Sequence, residues 1–83
     1  RAFPPVDFNG SVNNLKEAQI EVVETFLRRR WELDEAARQW MAWRVSIPLL
    51  YQMRPGYELS MFTYEGFLEE LLHRYRAVHR FKE

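Results

Sequence analysis

The stretch Glu69-Glu70-Leu71-Leu72-His73 holds a carboxylate and an imidazole three residues apart, Glu70 and His73. On a helix that spacing puts both groups on one face, and a Glu-x-x-His pair supplies part of the ligand set of a di-iron carboxylate bundle. Such a centre needs the pair on an inward face and a second pair on a facing helix. At about 100° per residue, His73 projects nearly opposite the apolar stripe of Leu68, Leu71, Leu72 and Tyr75, with Glu70 on the same polar side. The other histidine, His79, has Arg76 three residues before it instead of a glutamate. The pair therefore reads as part of a solvated face, with Glu69 and His73, and Glu70 and Arg74, as i,i+4 partners. Neither a metal nor another cofactor is expected.

Nucleophilic catalysis has equally little to work with. There is no cysteine, neither histidine has a serine or aspartate beside it in sequence, and no glycine-rich phosphate loop occurs. The chain is not expected to be an enzyme.

Nucleic-acid binding is the next chemistry to consider. Twelve basic residues balance twelve acidic ones, so no global field draws the chain to an anionic partner and a local patch would be required. Two basic clusters exist, Arg28 to Arg30 and the Arg74 to Arg80 stretch that continues to Lys82. Their simplest reading is two helix C-termini carrying the charges that suit the macrodipole. Leu33 to Trp40 followed by a break and a second short helix has the outline of a helix-turn-helix, but Ile47 to Met53 is almost wholly apolar and offers little to base edges. A small nucleic-acid-binding helical domain remains the alternative, to be decided by whether the two basic clusters form one patch or two.

The elements that position these residues follow from the periodicity. Residues 1–14 carry two of the four prolines, Gly10 and three asparagines, and read as an extended N-terminal arm. Phe3, Val6 and Phe8 within it point to an arm that lies along its own domain. Asn14 with Glu17 reads as a capping box, opening a helix whose apolar residues Leu15, Ala18, Ile20, Val22, Val23, Phe26, Leu27 and Trp31 spread over one broad side. A second helical segment covers residues 34–46, either continuous with the first or capped by Asp34. Pro48 is expected to stop or kink it near Ser46. Residues 48–53 form a short helix or an irregular crossing, and Arg54-Pro55-Gly56 is a turn. The last helix has Thr63 as N-cap, Phe62 and Phe67 as a hydrophobic staple, and an apolar stripe of Tyr64, Phe67, Leu68, Leu71, Leu72, Tyr75 and Val78. Gly66 in its first turn predicts close passage of another element.

These elements assemble into an all-α domain over residues 15–83, a small bundle of three to four helices preceded by the arm. No apolar run is long enough to span a membrane and no signal segment opens the chain, while the start at Arg1 instead of Met reads as an excised or processed form. The absence of cysteine leaves the compartment open.

The signal left unabsorbed is aromatic. Three tryptophans, four tyrosines and six phenylalanines exceed what a core of this size can hide, so some must be exposed. Trp40, Trp43, Tyr51 and Met53 are expected to form a partner-binding surface. The functional expectation is a protein-interaction or accessory subunit domain that packs on itself, as a homo-oligomer, or on a larger protein partner.

Overall fold

The computed structural model of the chain describes residues 1–56 and 61–79. Three α-helices, α1 (Glu17–Arg29), α2 (Glu35–Met53) and α3 (Tyr64–His79), form the all-α bundle, with no strand among the described residues. α3 packs against both of the other helices and supplies the centre of the core, where Phe67, Leu68 and Leu71 are sealed from solvent.

α1 presents Ile20, Val23 and Phe26 to that core, a helical spacing of three. It begins two residues later than the Asn14 and Glu17 pairing predicts. The Asn13 N–H donates to Ser11 Oγ at 3.1 Å and the Leu15 N–H to the Val12 carbonyl at 3.2 Å, a local turn that buries Leu15 before the helix starts. Gln19 then takes the role given to Glu17, its Oε1 accepting from the Lys16 N–H at 2.8 Å.

The join between the first two helices is a real break. A single 3₁₀ turn, Arg30–Glu32, ends α1, and Asp34, in extended conformation, accepts from the Ala37 N–H at 2.8 Å to cap α2. Pro48 does not end α2, contrary to expectation: the helix runs on to Met53. Proline removes the amide that would bond the Arg44 carbonyl and crowds that carbonyl. Pro48 and Arg44 both lie on the exposed side, where water can serve the freed oxygen, while buried Ser46 and Leu49 hold the segment to the core. The helix is left at Arg54, in the left-handed region at φ 47° and ψ 53°, with its N–H on the Leu50 carbonyl at 2.8 Å and Pro55 after it. Ile47 to Met53 are therefore the last turns of α2, and the helix-turn-helix outline disappears.

α3 starts as its sequence predicts. Thr63 Oγ1 accepts from the Gly66 N–H at 2.9 Å, and the Phe62 and Phe67 rings lie 5.7 Å apart. A Cβ on Gly66 would sit 3.0 Å from both the Pro4 carbonyl oxygen and Val6 Cγ2, so the element passing over it is the N-terminal arm. Only the end of the stripe departs from expectation: Tyr75 is partly buried, stacked on His79 at 3.9 Å, and Val78 is exposed.

The arm is a strap across α3. Val6, Phe8 and Val12 are buried, and the Phe8 ring packs 5.0 Å from that of Phe67. Glu69 accepts from the Ala2 and Phe3 amides at 2.9 and 3.3 Å, Arg1 meets Glu70 at 2.6 Å, and Arg74 donates to the Phe8 carbonyl at 2.6 Å while lying over its ring.

Candidate interaction surface

Several charged side chains hold the fold together. Arg30, expected at a solvated helix end, is instead buried, because the 3₁₀ turn after α1 swings it toward α3. Its Nη2 meets Glu69 Oε2 at 2.5 Å and its Nη1 meets Glu65 Oε1 at 3.4 Å, while Arg38 Nε reaches the other Glu65 oxygen at 3.0 Å. The Trp31 ring covers this cluster, 4.7 Å from the Arg30 guanidinium and 5.0 Å from that of Arg38. Glu69 pairs with Arg30, then, and not with His73. Burial pushes the Glu69 carboxyl up, but hydrogen bonds from the Ala2 amide, Arg30 and the Phe3 amide outweigh it and hold the pKa below the ordinary glutamate value. Two carboxylates shared by two guanidiniums tie α1, α2 and α3 together, so the cluster is a structural clamp.

Glu70 and His73 do not act as a pair either. Glu70 is held by Arg74 at 2.7 Å and by Arg1, contacts that lower its pKa against the opposing effect of burial, while His73 is exposed. Among the described residues no three His, Asp or Glu side chains converge to hold a metal ion.

The basic clusters meet in part. Arg28 and Arg30 of the first cluster and Arg76 of the second line one concavity between α1 and α3, together with Arg1 and His73. Glu24 and Glu69 line it too, Glu24 pairing with Arg76 at 3.0 Å, and Arg29 pairs with Glu32 at 3.0 Å. Arg80 lies outside the described residues. The described arginines there, Arg28 apart, are neutralised by carboxylates, which weakens the field that phosphate binding requires.

The outer face of α2 is different. Trp40, Trp43 and Tyr51 are 52%, 44% and 74% exposed, and Ile47, between them, is 39% exposed. At 100° per residue these four fall within about 80° of one another and form one stripe, on the side of the helix turned away from the Ala42, Ser46 and Leu49 that face the core. Met53 turns the other way, half-buried on the core beside Gly10, so it leaves the expected surface. Two guanidiniums lie on the stripe: Arg44 over the Trp40 ring at 5.3 Å and Arg54 over the Tyr51 ring at 5.1 Å. One flank of the ridge is a groove of about 540 Å³ in which Trp40 and Trp43 meet Phe3 of the arm and Tyr64 of α3. A separate apolar groove of about 460 Å³ lies between α1 and α2, lined by Val22, Phe26, Leu33, Met41 and Val45.

Ile47, Arg44 and Arg54 were not legible as members of this surface. Their signal is the spacing 40, 43, 47, 51, which counts only if the helix continues past Pro48. Tyr57 lies outside the described residues, and Trp31, placed on the apolar side of the first helix by its periodicity, covers the charge cluster instead.

Set against protein-family models, curated proteins and solved structures, the chain finds no match in any of the three. Among the described residues no helix is long and apolar enough to cross a membrane.

Proposed function

We propose that this chain is a non-enzymatic protein-interaction domain that docks through the outer face of α2. One observation carries the reading: α2 is apolar toward the core and apolar again on the side where a surface helix is normally polar, a pattern that belongs to a helix covered on both sides. Trp40, Trp43, Ile47 and Tyr51 would each contribute about 1.5 to 3 kcal/mol on being covered by a partner, less where they are already half-covered. Tryptophan and tyrosine are also the side chains most enriched among interface anchors.

The alternative, nucleic-acid binding through Arg28 to Arg30 and Arg74 to Arg80, has less support, because the described arginines of those stretches, Arg28 apart, are engaged by carboxylates or by the arm.

Light scattering coupled to gel filtration, together with affinity capture of partners by the intact chain, tests the proposal in the wild type and in Trp40→Ser and Trp43→Ser. The expected result is self-association or capture that both substitutions abolish at nearly unchanged melting temperature. Association that survives both substitutions refutes it.

A further inference from the structure

Resting on the docking role proposed for α2, we infer that this face takes an acidic amphipathic helix, one whose apolar stripe is flanked by Asp or Glu. The distribution of charge over the surface points to it. Arg1, Arg29, Arg30, Arg38, Arg74 and Arg76 are each paired with a carboxylate. Arg44 and Arg54 are not, nor is Arg28 on α1, but only the first two belong to this face: among the described residues their partners are the Trp40 and Tyr51 rings, and both residues are exposed on the apolar stripe. No carboxylate lies on that stripe between them. A guanidinium over an aromatic ring makes no hydrogen bond to it through its N–H fork, and that fork fits a carboxylate.

The dimensions suit a helix. From Trp40 to Tyr51 the stripe spans 12 residues, about 16 Å from end to end, or three turns of a partner whose anchors recur at i, i+3/i+4 and i+7. The groove beside Trp40 and Trp43 leaves room for such anchors to sink past the ridge.

A second copy of the chain fits the charges poorly. Antiparallel pairing of two α2 stripes about their common centre brings the two Arg44 side chains to within about one helical turn of each other, with no carboxylate on either face. An anionic membrane or a nucleic acid is also disfavoured. Two free cations supply about 1 kcal/mol each at an anionic lipid surface, and neutralising two phosphates is far short of the six to ten that typify duplex binding.

The test uses three dye-labelled peptides of about 18 residues, sharing one leucine stripe at i, i+3, i+4 and i+7 and flanked by Glu, Gln or Lys, titrated with the intact chain by fluorescence anisotropy. The Glu-flanked peptide is expected to bind roughly tenfold tighter than the Gln-flanked one and the Lys-flanked one weaker still, with the advantage shrinking as salt is raised. Arg44→Gln/Arg54→Gln should erase the preference and Arg44→Glu/Arg54→Glu should reverse it, at a melting temperature that circular dichroism finds unchanged. Equal affinity for all three peptides, lost in Trp43→Ser, overturns the acidic partner and leaves the docking role standing. Failure of every peptide to bind, in a chain that also fails to associate or capture a partner, overturns both. Concentration-dependent dimers that Trp43→Ser disrupts assign the face to a second copy. Phosphatidylserine vesicles or a DNA duplex held by this face and released by Arg44→Glu/Arg54→Glu assign it to phosphate.

Discussion

Arg30 and Glu69, 39 residues apart in sequence, meet in a buried ion pair at 2.5 Å that ties the end of α1 to the middle of α3. The same carboxylate receives the Ala2 and Phe3 amides, so one side chain fastens a helix end and the arm together. Removing Arg30 leaves Glu69 buried with only two amide donors and Glu65 with Arg38 alone. Arg30→Met is expected to cost about 3 to 5 kcal/mol in urea unfolding, the usual penalty for uncompensated buried charge. Arg30→Met combined with Glu65→Gln and Glu69→Gln should recover a sizeable part of that loss. A triple variant no more stable than Arg30→Met would show that the pairing energy was not what the single substitution removed.

The same contacts set an acid sensitivity. Glu69 and Glu70 both titrate below the ordinary glutamate value in the folded chain, so each contributes stability that is present above the unfolded pKa of about 4.3 and is lost as pH falls through the folded value. Melting temperature should hold steady from neutrality to near pH 5 and then fall. Glu69→Gln should melt lower at neutrality and show a shallower fall in acid, which a thermal series across pH measures directly.

Gly66 is the residue over which the arm crosses. A methyl group there would lie 2.6 Å from Thr63 Oγ1 as well as 3.0 Å from the Pro4 carbonyl oxygen and Val6 Cγ2. Alanine in a helix is ordinarily favoured over glycine by about 1 kcal/mol. Here the clash with backbone and cap is expected to reverse the sign, with Gly66→Ala destabilising by about 1 to 3 kcal/mol. Limited proteolysis within residues 1–12 should accelerate along with it, and a more stable Gly66→Ala would mean that the arm lifts at little cost.

Ser46 is fully buried on α2 and its hydroxyl has no hydrogen-bond partner among the described residues. An unsatisfied buried donor is costly, and alanine is the better helix former. Ser46→Ala is therefore expected to raise stability by about 1 kcal/mol, read as a higher urea midpoint at constant slope. Destabilisation by the substitution would reveal a role for the hydroxyl that packing does not account for.

His73 stands in solvent beside a glutamate already held by two arginines. His73→Ala should move stability by less than about 0.5 kcal/mol. Elemental analysis of the purified wild type should find no stoichiometric iron, manganese or zinc, and finding such a metal lost in the variant would overturn this assignment.

What the amino-acid sequence determined by itself is local. The all-α class, the Thr63 cap and the Phe62 and Phe67 staple rest on side chains close in sequence to the backbone they govern, so spacing alone carries them, and Gly66 marks a close passage without saying that the arm makes it. Long-range packing decided the rest. Pro48 carries the same local penalty in any helix, and only the burial of Ser46 and Leu49 on one side, with the crowded carbonyl on the exposed side, lets α2 continue through it. Arg30 looks like its neighbours Arg28 and Arg29 until a 3₁₀ turn aims it at two glutamates more than 30 residues away. The stripe of Trp40, Trp43, Ile47 and Tyr51 became one surface through that same continuation, because residues on opposite sides of a helix break have no common face, whereas on an unbroken helix their spacing fixes one.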